Sequence, residues 1–211
     1  MLNAVNWRPA ARRRDARPMR AAAVLRACVL TVLSAVALIA GPSVSARAET
    51  PTAYMQRVAN ELVAASRSGS TLAFAAVIRN NADVPWLGLY SLGNYRAGLA
   101  MQDRPNYYNG MVNFISRYAA QEAPKYPVAS AVIAGQASED REGVQVDSRI
   151  TLKTGETYDV RWLVVRHGQG YKVRDAQVVG FWMSPFLKKL FEDYIAENGG
   201  NPRALVIALN K

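Results

Sequence analysis

Across residues 52–66, TAYMQRVANELVAAS, apolar positions recur at helical spacing, with Tyr54, Val58, Leu62 and Ala65 on one face. The pattern predicts a helix, with Thr50 or Thr52 capping its start and Ser68-Gly69 ending it. Residues 71–79, TLAFAAVIR, fit helix or strand by pattern, and their alanine content favours helix. Asp83-Val84-Pro85 reads as a helix start, with Asp83 as the cap and Pro85 in the first turn, leading WLGLYSL to Gly93. A longer helix is predicted over 106–121. Its stripe is Tyr107, Met111, Phe114, Ile115 and Tyr118, and Pro124 and Pro127 stop it.

After Pro127 the pattern changes to alternation. Four strand-like segments follow, at 128–136, 143–152, 157–167 and 171–180, joined by the polar, hairpin-length turns SEDRE, KTGE and HGQG. In the second, Val144, Val146, Ser148, Ile150 and Leu152 oppose Gln145, Asp147, Arg149 and Thr151, the mark of a sheet covered on one side. Such strands predict an antiparallel meander. Ser184-Pro185 and Asn201-Pro202 then open two closing helices, FLKKLFEDYIAE and RALVIAL. Helices, a meander and helices again predict one α+β domain with helices packed on one sheet face. One segment resists this simple reading. In YKVRDAQVVGFW, residues 171–182, a charged start turns without a break into an apolar run ending at Met183. Such a strand either enters a core or lines a pocket.

Composition changes the picture at one end only. The 211 residues carry a net charge of +10, but residues 1–48 hold eight arginines against Asp15 alone. That segment is therefore +7, and the remaining 18 basic and 15 acidic residues leave +3 for the rest. A nucleic-acid partner loses its main support. The first segment has instead the parts of a secretory signal: arginines up to Arg26, an apolar run at 27–40, the breaker Gly41-Pro42, and Ala46-Arg47-Ala48 as a small-x-small cleavage site. Its 14 apolar residues, roughly 21 Å as a helix, fall short of a ~30 Å hydrocarbon core. The expectation is a cleaved signal peptide at 1–48, possible starts at Met1 or Met19, a single domain at 49–211, and export to the periplasm. Arg12-Arg13-Arg14 lacks the apolar pair of a twin-arginine signal. Cys28, the only cysteine, begins the apolar run instead of ending it as a lipoprotein cysteine does. The exported part therefore has no thiol, disulfide or Cys-ligated metal.

Catalytic chemistry is sparse. The single histidine, His167, lies in the HGQG turn and reads as a solvated loop residue. Glu139, Asp140 and Glu142 match no calcium-loop spacing, and Gly93 and Gly98 in GNYRAG precede no Lys-Ser/Thr. No catalytic residue, metal or cofactor is assigned. What stands out is apolar and aromatic: Tyr90, Tyr95, Tyr107, Tyr108, Phe114, Tyr118, Trp162, Phe181, Trp182, Met183 and Phe186. An ordinary filled core accounts for them; so does an apolar cavity between a concave sheet and its helices.

The ordered motifs carry a resemblance. Tyr171-Lys172-Val173-Arg174-Asp175, followed by Gly180, resembles the "W-K-V-x-D…G" strand of the MlaC/toluene-tolerance family. Asp83…Leu92-Gly93-Asn94-Tyr95-Arg96 is similar to its "V-D-F…L-G-x-Y-W-R". Phe114 with Tyr118-Ala119 resembles "F…L…T-Y-A", and Val144-x-Val146 through Arg149-Ile150 resembles "V-x-T-R-I". The likeness spans 52–209. Departures lie at Val84, where the family has phenylalanine, and between Tyr95 and Arg96, where its tryptophan is missing.

The resemblance implies a four-stranded, curved, cystatin-like antiparallel sheet with helices on one face enclosing an apolar cavity. It also implies a periplasmic carrier of diacyl phospholipid. Its partners would be an inner-membrane lipid ABC transporter with an MCE-type subunit and an outer-membrane lipoprotein complex. A hopanoid-associated branch of the same family is an alternative. The physics of such a role is demanding. Exposing the ~14 methylenes of one acyl chain costs roughly 11 kcal/mol, so a carrier needs a deep apolar site.

The expected lipid-binding wall is Leu89, Leu92, Tyr95, Phe114, Tyr118, Val146, Ile150, Trp162, Val164, Val173, Val178, Phe181 and Met183. Of these, Leu92, Tyr95, Tyr118, Val146, Ile150, Val173 and Phe181 rest on the family-like segments, and the others on pattern. Two rival classes remain. One is a cystatin-like enzyme, for which Asp147, Asp159 or Asp175 would point into the cavity with a tyrosine partner. The other is an interaction domain whose core is filled.

Overall fold

The computed structural model describes residues 49–211; the expectations for the first 48 residues lie outside the described part. Helix α1, Pro51–Ser68, starts where the Ala53 N–H donates to the Thr50 hydroxyl at 3.2 Å, and it ends on Gly69 in the left-handed conformation at φ 61°. Helix α2, Thr71–Asn81, is capped by Ser70, which settles the helix-or-strand ambiguity of TLAFAAVIR. Helix α3, Val84–Ser91, is capped by Asp83 and has its proline in the first turn. Short 3₁₀ turns at Gly93–Gly98 and Met101–Asp103 lead into α4, Arg104–Glu122, and a third at Ala123–Lys125 leads out of it. Polar caps decide the starts of α1, α2 and α3 because the first N–H groups of a helix have no partner within it, whereas α4 continues from its 3₁₀ turn with no side-chain cap.

The sheet is a plain antiparallel meander in the order β1 (Val128–Glu139), β2 (Val144–Leu152), β3 (Thr157–His167), β4 (Gly170–Val178) and β5 (Phe181–Trp182). It has five strands where the sequence predicted four. The difference lies in residues 171–182. The segment read as one strand to 180 stops at Val178, turns through Val179 and Gly180 at φ 51° and 83°, and returns as β5. Two successive left-handed residues reverse the chain, so the apolar run folds back instead of continuing. Val179 is β-branched, and the left-handed conformation costs such a residue about 1–2 kcal/mol. Helices α5 (Met183–Glu197) and α6 (Pro202–Leu209) close the chain.

Two cores result. In the first, Tyr54, Met55 and Val58 of α1 pack on Val144, Val146, Val164 and Tyr171 of the sheet. In the second, α3 to α6 surround Leu92, Tyr107, Met111, Leu187, Phe191, Ile195, Leu205 and Leu209. Close helix approach makes the second core tight. A Cβ built on Gly110 of α4 would lie 2.8 Å from the Leu209 Cβ and 2.6 Å from the Asn210 side-chain nitrogen. Gly110→Ala is therefore expected to destabilise by about 1–3 kcal/mol through overpacking, despite alanine's better helix propensity. Urea unfolding measures it; a stabilised variant would mean that α6 yields freely.

Candidate functional site: apolar cavities beneath the sheet

The residues YKVRD in β4 act as a clamp. The Lys172 ammonium donates to the Asn80 carbonyl at 2.6 Å, and the Val173 carbonyl accepts from the Asp83 N–H at 2.8 Å. The Arg174 guanidinium donates to Asp83 Oδ2 at 2.9 Å and lies over the Trp86 ring at 5.0 Å. Asp175 takes the opposite role. It accepts from the Ser184 N–H at 3.0 Å and from the Ser184 hydroxyl, supplying the cap that α5 lacks from its own Trp182. Each polar residue of the segment thus fixes a helix end to the β4 edge. The Asp83–Arg174 pair is largely shielded, so removing either partner would leave a charge poorly solvated.

A bulge in the same strand decides what the clamp frames. Leu163 pairs with Asp175 and Val164 with Val173, so Arg174 is an extra residue in β4. Val164 stands opposite Val173, Trp162 opposite Ala176 and Val160 opposite Val178. Val173, Ala176 and Val178 consequently share the helix-facing side.

Two apolar cavities open on that side. The larger, about 500 Å³, lies between β4 and the helices; Leu87, Phe114, Ile115, Tyr118, Val173, Ala176, Met183, Phe186, Leu187 and Leu190 make up most of its wall, with Ala82 and the clamp residues Arg174 and Asp175 at its border. The smaller, about 310 Å³, lies under α1 and α2; its wall includes Leu62, Val63, Phe74, Ala119, Ala131, Ile150, Val160, Trp162 and Val178. Both fall in the size range of ~300–1,000 Å³ usual for small-ligand sites. The Trp162 indole N–H donates to the Ser148 hydroxyl at 2.9 Å, so its polar edge is satisfied and its ring is free to face the cavity. Tyr118 is 60% exposed and Phe186 67% exposed, which places them at the mouth of the larger cavity.

Of the predicted wall, Phe114, Tyr118, Val173 and Met183 meet in the larger cavity, and Ile150, Trp162 and Val178 in the smaller. Val146 and Val164 pack in the α1–sheet core, and Leu92 and Tyr95 in or against the helical core. Leu89, half-buried in α3, lines neither cavity, and Phe181 is exposed at the sheet edge. Helix residues supply what the prediction lacked: Leu62 and Ile115 stood in helical stripes, whereas Phe186 and Leu190 are legible only once α5 is seen to lie over β4.

The opposite sheet face has a larger recess, about 870 Å³, whose lining mixes apolar residues such as Val132, Ile133 and Val179 with charged ones. The ion pairs Arg149–Asp159, at 2.9 Å, and Arg161–Asp147, at 2.7 Å, cross it. Each arginine holds its partner's carboxyl below the usual carboxylate range through a direct hydrogen bond. Asp147 and Asp159 therefore face away from the apolar cavities, whereas Asp175 borders the larger one with its carboxylate engaged by Ser184. Among the described residues none of the three has a tyrosine hydrogen-bond partner, the arrangement a cystatin-like enzyme would need. The buried Tyr54 phenol, pushed up to about 12 mainly by burial, stays protonated and donates to the Asn81 carbonyl at 2.9 Å. Among the described residues no cluster of three or more metal-ligating side chains occurs, and no helix is long and apolar enough to cross a membrane.

No curated protein sequence matches this chain. Among solved structures, a phospholipid-binding protein from Ralstonia solanacearum, itself in complex with a phospholipid, is similar with a TM-score of 0.60 at 20% sequence identity. The match covers 75% of this chain and 94% of that one, a likeness of fold. The model of the family described as MlaC protein matches residues 52–211, from the first turn of α1 to the last residue. The motifs that clamp β4 to its helices, the meander and the cavities beneath it thus lie within a match spanning most of the chain, and the protein belongs to the MlaC family.

Proposed function

We propose that the protein is a periplasmic lipid carrier. It is exported by a cleaved signal peptide and holds phospholipid acyl chains in the two cavities. It shuttles lipid between an outer-membrane lipoprotein complex and an inner-membrane ABC transporter with an MCE-type subunit. The observation that carries the reading is the pair of apolar cavities on one side of the sheet, left between separately packed clusters of the core. A filled core would close such space, because the lining groups lose contact energy across every void. The phospholipid in the Ralstonia solanacearum relative and the family match support a lipid as cargo. The location of the acids Asp147 and Asp159 on the far face favours binding over catalysis.

Native mass spectrometry of the protein purified from cells, followed by solvent extraction, tests the reading. A stoichiometric diacyl phospholipid is expected. A hopanoid or single-chain lipid would replace phospholipid as the cargo. Protein that is empty and takes up no lipid from vesicles would overturn the carrier role.

A further inference from the structure

The β4–β5 turn places unusual residues at its tip. Two-residue turns with both positions left-handed favour asparagine and glycine, because a β-branched side chain is crowded there. Here the first position is Val179, which is among the described residues the one non-glycine residue with positive φ. It is also 66% exposed, and the neighbouring Phe181 is 74% exposed. Neither the strain nor the exposure serves a turn that only meets water.

Position explains the choice. Phe181 stands opposite Val178 in the β4–β5 pair, so its ring lies on the cavity side of the sheet edge. Phe181 lines neither cavity itself; in the chain it lies between Val178 of the smaller cavity and Met183 of the larger, and Val179 borders the recess on the opposite face. Phe186 and Leu190, exposed at the mouth of the larger cavity, extend the apolar surface along α5, where Lys188 lies over the Tyr90 ring and Lys189 pairs with Asp193 at 2.8 Å.

We propose that Val179, Phe181, Phe186 and Leu190 form a tip that docks on the surface of a lipid bilayer, bringing the mouth of the larger cavity against it. The proposal rests on the carrier reading. Continuity of Phe186 and Leu190 with the larger cavity favours a bilayer over a protein as the occupant, since an acyl chain then passes from bilayer to cavity without crossing water. Composition agrees: exposed phenylalanine and leucine suit the interfacial zone of a bilayer.

The test is flotation of the protein purified from cells with protein-free vesicles of phosphatidylethanolamine, one part in four phosphatidylglycerol. Bound lipid is measured on the same preparation. Wild type is expected to float. The double variant Val179→Asn, Phe181→Ser is expected to float at roughly a tenth of that level or less, since two apolar side chains leave the interface. Its unfolding midpoint should be unchanged or raised, because asparagine tolerates the left-handed conformation. Wild-type protein that carries lipid but does not float would overturn the docking tip and leave the carrier reading intact. Equal flotation of variant and wild type would also overturn it. Protein that floats through this tip yet never holds lipid would support the surface and overturn the carrier reading instead.

Discussion

Val178→Glu is expected to yield a folded protein that has lost its lipid. Val178 closes the smaller cavity beside Trp162, Ile150 and Val160, and none of these offers a hydrogen bond to a carboxylate from its cavity-facing atoms. An ionised group there either keeps water with it or is protonated, and both outcomes displace an acyl chain. Val178 is only half-buried, so the side chain can lean toward solvent and the cost in stability stays near 1–3 kcal/mol. The effect on cargo is larger: co-purified lipid per protein should fall roughly tenfold or more, because the wall beside the tails becomes hydrated. Val178→Leu, which keeps the surface apolar, should retain lipid. The measurement is solvent extraction at known protein concentration. Wild-type stoichiometry in the glutamate variant would remove the end of β4 from the binding wall.

Phe191→Ala is expected to have the largest effect on stability, about 3–5 kcal/mol. The ring is 2% exposed at the centre of the helical core, with its centroid 5.9 Å from Phe114 and 6.4 Å from Tyr107, both edge-on. Truncation removes these contacts and leaves a void that opens toward the larger cavity, since Phe114 separates the two. Against a typical total stability of ~5–15 kcal/mol, such a loss should shift the urea midpoint strongly. Phe181→Ala is the matched comparison, with the same chemical change at an exposed edge and an expected effect within ~0.5 kcal/mol. If the two variants unfolded alike, the helical core would not be the source of the protein's rigidity.

These outcomes depend on structure at different ranges. The helix starts were legible because a cap acts within a few residues: Thr50 on Ala53 and Asp83 on Trp86 are local events. The meander was legible because alternation and short polar turns specify pairing between neighbours in the chain. The apolar stripes of the first and fourth helices likewise announced the faces that became the α1–sheet core and part of the cavity wall.

Three features belonged to the tertiary structure. Under strict alternation Val173 and Val178 fall on opposite faces, and only the bulge at Arg174, visible in the β3 register, puts both on the helix side. The apolar run after Val178 turned back at Val179 against local preference, because a β-branched residue is a poor signal for a left-handed turn. Finally, Val146, Val164 and Leu92 became core while Val173 and Val178 became cavity, although all are apolar residues of similar kind. Hydrophobicity says that a side chain leaves water. Whether it then meets other side chains or an empty site depends on how far apart the clamps at Asp83–Arg174 and Asp175–Ser184 hold α3 and α5 over the sheet. That separation is set by contacts between residues distant in the chain, and local pattern carries no record of it.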